Sequence, residues 1–208
     1  MPFTWWALTG LFVALLINRA ADCWLSPARL QCGLTRHPRR QILVLIVLPI
    51  LFAWLSRRAP GPGEPWIIAS FAAILILLAV IDLEQRRVPN VVILPAMAFA
   101  LSVAWQNSDL PRAAAGAVLA FVFFLALYML GRRLYGPGAL GMGDVKLAGL
   151  IGAMIGLEWM PHALALGILL AGAVAAMLLL SGRAGRSDLL PYGSFMTLAA
   201  VVVLVVVN

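Results

Sequence analysis

Charge is scarce in this chain. Only 11% of its 208 residues are Asp, Glu, Lys or Arg, whereas 63% are hydrophobic. A water-soluble domain carries roughly 25% charged residues, so a mean hydropathy of +1.01 excludes that class and leaves a chain built for lipid. Cysteine is scarcer still. Cys23 and Cys32 are the two present, both in the first basic loop, where a disulfide framework is not expected. With His37 beyond them they fall short of the four ligands a closed zinc site requires, and neither a metal nor a cofactor is expected. The positive charges lack a stripe or an interleaved aromatic platform, which excludes a nucleic-acid partner. No polar stretch is long enough for a soluble domain, so residues 1–208 are expected to form one integral membrane domain.

What is present in place of charge is a series of eight apolar runs. They lie near Thr4–Asn18, Gln41–Ser56, Trp66–Asp82, Val91–Trp105, Ala113–Gly131, Val145–Leu157, Ala163–Ser181 and Pro191–Val207. A helix crosses the hydrocarbon layer in about 20 residues. The fold class expected is therefore an all-α membrane protein, a polytopic bundle of about eight transmembrane helices. The first run lacks a small-residue cleavage site and is followed directly by Arg19, so it reads as a permanent span.

The basic residues orient the bundle, because cationic loops stay in the cytoplasm. The odd-numbered loops hold Arg19, Arg29, Arg36, Arg39, Arg40, Arg86, Arg87, Arg132, Arg133, Lys146, Arg183 and Arg186; the even-numbered loops hold only Arg57, Arg58 and Arg112. Both termini are expected outside, with a short cytoplasmic loop over residues 19–40.

Acidic residues number eight, few enough to weigh singly. Asp82 closes the run "WIIASFAAILILLAVID" and Asp144 precedes the sixth run, so two helices bring carboxylates to the same membrane face. A plain reading exists for each. An aspartate at a helix end can mark the headgroup region, and Asp144 after Gly143 is placed to cap a helix. The pair points further, since ionisable groups at membrane depth face functional cavities. Gly141 and Gly143 clear side chains from beside Asp144, and Pro89 breaks the helix that carries Asp82. Irregular backbone at that depth lines a cavity or meets protein. Glu84 is expected to face water.

These residues resemble a known family. "GMGDVKL" is similar to the G-x-G-D motif of intramembrane aspartic proteases. "IDLEQRRVPN" resembles the aspartate-plus-proline segment of their bacterial branch, the type IV prepilin peptidases. "LLPYGSFMTLAA" is similar to the closing Pro-x-Gly-x-Phe segment, and "GLFVALLINRAAD" to the first helix ending in asparagine. The resemblance implies an endopeptidase in the bacterial cytoplasmic membrane that removes the leader of prepilins or pseudopilins at the cytoplasmic face, with residues 66–208 as catalytic core. It implies Asp82 and Asp144 as the catalytic pair, and Pro191, Gly193 and Phe195 at the border of the site. Two close carboxylates suit that chemistry, because they share a proton: one activates a water while the other protonates the carbonyl oxygen or the leaving amine.

Lys146, the one lysine, reads equally as a substrate contact and as an interfacial anchor. The spacing of Gly149, Gly152 and Gly156 favours close helix packing. Many members of the family carry a longer first loop with two C-x2-C pairs and also methylate the new amino terminus with S-adenosylmethionine. The short loop here lacks those pairs, and the resemblance does not carry the methyltransferase activity over. The alternative from another class is a small transporter or ion pathway using membrane-embedded aspartates, which places its carboxylates near the bilayer midplane.

Overall fold

The computed structural model describes residues 3–25, 38–58, 64–86, 88–136, 140–182 and 192–207. Every element among them is a helix: α1 Phe3–Leu25, α2 Pro38–Arg58, α3 Glu64–Gln85, α4 Asn90–Gln106, α5 Leu110–Tyr135, α6 Met142–Leu180 and α7 Tyr192–Val207. Four of them, within Thr4–Ala21, Pro65–Gln85, Leu110–Leu134 and Met142–Leu180, are long and apolar enough to cross a membrane. Shorter apolar helices cover Gln41–Leu55, Asn90–Gln106 and Tyr192–Val207.

The expected sixth and seventh runs fall inside the single span of α6. At 39 residues a straight helix would reach roughly 60 Å, about twice the hydrocarbon thickness. It is not straight. Gly156, at φ 79° and ψ 171°, interrupts the helical backbone, with Pro161 close behind it. The two arms run back alongside each other. Asp144 at the start of α6 approaches Gly193 at the start of α7, and Gly167 of the second arm meets Met196, only three residues further along α7. A continuous helix would separate residues 144 and 167 by about 35 Å. Among the described residues the eight expected runs thus correspond to seven helices, one of them folded back on itself.

Several boundaries also differ from expectation. α1 continues through Arg19 and Asp22 to Leu25, and α2 begins at Pro38, so the helices take up part of the expected loop 19–40. An apolar-run criterion stops where lipid-compatible side chains stop, whereas the backbone stays helical until something competes for its hydrogen bonds.

Small residues set the helix crossings. A Cβ on Gly116 of α5 would lie 2.6 Å from the carbonyl oxygen of Gly152 on α6, and one on Gly10 of α1 would lie 2.7 Å from the Pro49 Cα of α2. Backbone meets backbone at both places, which in lipid is a main source of helix association. Trp6 stacks on Trp66 at 3.9 Å between ring centroids, tying the start of α1 to the start of α3. Contacts of Gly143 with Val88, of Lys146 with Asn90, of Ser194 with Asp82 and of Gly116 with Gly152 put the starts of α4, α6 and α7 and the ends of α3 and α5 at one end of the bundle. Arg86, Arg132, Arg133 and Lys146 lie at that end, and Arg57 and Arg112 at the other.

Candidate active site

Asp82 lies in the last turn of α3 and is only 5% exposed. The helix stops just beyond it. Arg86 adopts a left-handed φ of 52°, its amide donates to the Asp82 carbonyl at 2.8 Å, and Pro89 at φ −74° opens α4. A buried carboxylate is costly unless its oxygens accept hydrogen bonds, and α7 supplies them. The Ser194 amide donates to Asp82 Oδ2 at 2.7 Å and the Ser194 hydroxyl to the same oxygen at 2.8 Å. That amide lies in the first turn of α7, where N–H groups have no partner inside the helix.

Asp144 arrives from the start of α6. It is the third residue of α6 and half-buried. The capping position expected for it belongs to Gly141, at φ −81° and ψ 141°, whose carbonyl accepts the Asp144 amide at 3.1 Å. Gly141 has the extended backbone usual at a helix N-cap, and the cap thus lies three residues before the position the sequence reading gives it.

Gly193 lies against both carboxyl groups. A Cβ built there would lie 2.9 Å from Asp82 Oδ2 and 3.2 Å from Asp144 Oδ1, so those oxygens are no further apart than the sum of the two distances. Any side chain at 193 would crowd both of them.

The margins of this cluster hold the other residues singled out by sequence. A Cβ on Gly143 would stand 3.3 Å from the Val88 side chain, so the glycine lets α6 approach the segment that carries Pro89. A Cβ on Gly141 would stand 3.3 Å from Asp144 Oδ2. Lys146 donates from Nζ to Asn90 Oδ1 at 2.9 Å, bridging α6 and α4. Phe195 is half-buried beside Ser194. Pro191 lies outside the described residues, as do Cys32, His37 and the side chain of Cys23. Glu84, expected to face water, is half-buried and has a partner, because α3 continues past Asp82 to Gln85 and keeps it on the bundle. Among the described residues no group of three or more His, Cys, Asp or Glu is placed to hold a metal ion.

Sequence reasoning passed over Ser194 and Asn90. Both sat inside quoted motifs, "PYGSF" and "VPN". The available signal was a polar side chain in an apolar helix, which needs a partner across the bundle.

A cavity of about 330 Å³ lies at the opposite end, lined by Ile68, Ala104, Arg112, Gly156 and Leu204 among others. It is remote from both aspartates. Its charged rim pairs Arg112 with Asp109 at 3.4 Å and with Glu158 at 3.9 Å, exposed contacts that contribute little.

The geometry can be set beside known proteins. The chain is 28% identical over 155 residues to the "Prepilin leader peptidase/N-methyltransferase" of Pseudomonas putida, covering 74% of this chain and 53% of that protein. It is 25% identical over 201 residues to the protein of that name from Xanthomonas campestris, covering 96% of this chain and 67% of the relative. The like-named protein of Klebsiella pneumoniae is 31% identical over 140 residues, 65% of this chain and 60% of the relative. The chain thus spans about half to two thirds of the length of these relatives. No solved structure matches it. The model of the type IV leader peptidase family matches residues 69–177, just over half the chain and the stretch that carries both aspartates and both arms of α6, so the chain belongs to the type IV leader peptidase family.

Proposed function

We propose that this chain is an intramembrane aspartic endopeptidase that removes the leader peptide of type IV prepilins or pseudopilins at the cytoplasmic face of the bacterial inner membrane. The observation that carries the reading is the approach of the Asp82 and Asp144 carboxyl groups to each other against Gly193. Family membership supports it, as does the position of the pair at the helix ends, where a substrate helix would present its boundary.

The chemistry needs one proton between the two carboxyl groups. The ionised group takes a proton from a water as the water oxygen bonds to the scissile carbonyl carbon, and the protonated group gives its proton to the carbonyl oxygen. In the resulting tetrahedral intermediate the carboxyl group that has just been protonated transfers its proton to the amide nitrogen. The C–N bond then breaks and the other carboxylate recovers a proton from the hydroxyl. One water is consumed, and a new carboxyl terminus and a new amine are released. The relatives' second named activity, methyl transfer, is not included in the proposal.

The test is leader removal from a pilin-like substrate by purified protein, with folding followed by thermal unfolding. Asp82→Asn and Asp144→Asn should each lower cleavage by at least about 100-fold, and the double variant should be no worse, because members of a catalytic unit are strongly non-additive. Asparagine keeps size and a hydrogen-bonding oxygen but cannot exchange the proton. A folded Asp144→Asn that keeps more than about a tenth of wild-type cleavage, under ~1.4 kcal/mol of lost transition-state stabilisation, ends the proposal.

A further inference from the structure

Hydroxyl groups on these helices have a habit that Ser194 breaks. Thr9, Ser70, Ser102 and Ser181 each donate to a backbone carbonyl three or four residues back, at 2.7 to 3.0 Å. Thr197, one turn beyond Ser194, does the same toward Gly193 and Ser194 at 3.0 and 2.9 Å. This is the local bond that serine and threonine make in apolar helices. Ser194 instead reaches 112 residues back along the chain, to a carboxylate on another helix. Its hydroxyl has one hydrogen and two acceptors within reach, Asp82 Oδ2 at 2.8 Å and the Ala79 carbonyl at 3.3 Å. The shorter contact is typical of a hydroxyl bonded to an oxygen acceptor and the longer one is not. The residue is 1% exposed, so water does not compete for either group.

The amide of the same residue donates to the same oxygen. Two donors on Oδ2 commit that oxygen as an acceptor, since a proton placed on it would face two hydrogens already there. Oδ1 receives no hydrogen bond from these groups.

We propose that Ser194 is a positioning residue that clamps Asp82 through Oδ2 and thereby makes Oδ1 the oxygen that takes up and releases the reaction's proton. This rests on the peptidase reading for its consequence and on the clamp alone for its geometry. Ser194 acts through Asp82. Removing the hydroxyl leaves the amide as a single donor, and the carboxyl group gains freedom to rotate and exchange its two oxygens.

Three substitutions separate the hydroxyl from side-chain volume. Ser194→Ala removes it, and Ser194→Val and Ser194→Thr share a shape but differ in the hydroxyl. Ala and Val should lose roughly 10- to 100-fold in kcat, the worth of one hydrogen bond to a charged group, with KM within about twofold, and Thr should recover most of the loss relative to Val. A residue that merely packs α7 would change KM and thermal stability and would not distinguish Thr from Val. Infrared spectra supply a readout independent of cleavage: the carboxylate stretch of Asp82, isolated as the difference between wild type and Asp82→Asn, should move in Ser194→Ala and Ser194→Val and return in Ser194→Thr. Wild-type kcat in folded Ala and Val variants overturns the proposal, and so does an unmoved stretch in Ser194→Ala. A wild type that cleaves no pilin-like substrate, with the stretch displaced, upholds the clamp and removes the peptidase reading.

Discussion

Gly193 can be tested by the smallest possible change, one methyl group. Gly193→Ala would place a Cβ 2.9 Å from Asp82 Oδ2, 3.0 Å from its Cγ and 3.2 Å from Asp144 Oδ1. Ordinary carbon contacts begin near 3.4 Å, so the Asp82 carboxyl group must give way by about 0.5 Å and that of Asp144 by about 0.2 Å. A displacement of about 1 Å between reacting groups costs on the order of 100-fold in rate. Stability responds differently. Alanine gains up to about 1 kcal/mol over glycine in a helix, against an overpacking cost of about 1–3 kcal/mol, so the net loss should stay near 2 kcal/mol or below. Gly149→Ala is the control, because its Cβ would meet Phe121, Ala117 and Met97 at 3.4, 3.5 and 3.7 Å, which is ordinary contact. The assay is leader removal alongside thermal unfolding in detergent. Expected is a folded Gly193→Ala protein that has lost cleavage roughly 100-fold and a Gly149→Ala protein that has not. If Gly193→Ala cleaves at more than about a third of the wild-type rate, the space that Gly193 keeps open beside the carboxyl groups is not needed for the reaction.

Gly156→Ala should lower thermal stability by about 1–3 kcal/mol, entirely through backbone strain, because no atom lies within 4 Å of the added Cβ while φ is 79°; unchanged unfolding would mean that the fold-back does not depend on that conformation. The bond from Lys146 to Asn90 predicts that Lys146→Met and Asn90→Ala are non-additive, with a coupling of about 1 kcal/mol or less for this exposed contact, measured by a double-mutant cycle on unfolding; strict additivity removes the bridge. For orientation, cysteines at Arg133 and Asn107 in a background with Cys23→Ser and Cys32→Ser should differ toward an impermeant thiol reagent on intact cells. Only the one at Asn107 should label, and the reverse pattern would turn the bundle over.

The apolar runs were legible because lipid imposes a one-dimensional demand: about 20 residues without charge must appear wherever a helix crosses, whatever it packs against. Parity then placed Asp82 and Asp144 at one end of the bundle, since one run ends at the first and another begins at the second. Gly141, Gly143 and Pro89 were legible as breaks because their backbone restrictions are intrinsic to the residue. Tertiary structure decided the rest. That α6 folds back at Gly156 instead of ending at a polar loop depends on α5 and α7 lying where each arm can pack, with Gly116 and Gly167 admitting the backbones. That Gly193 lies against both carboxyl groups and that Ser194 donates to one of them depends on the depth at which α7 slides along α3. An apolar helix fixes that depth poorly through its own sequence, because one register in lipid differs little from the next until a buried carboxylate needs a donor. Asp82 is that carboxylate, and the partner it found was 112 residues away.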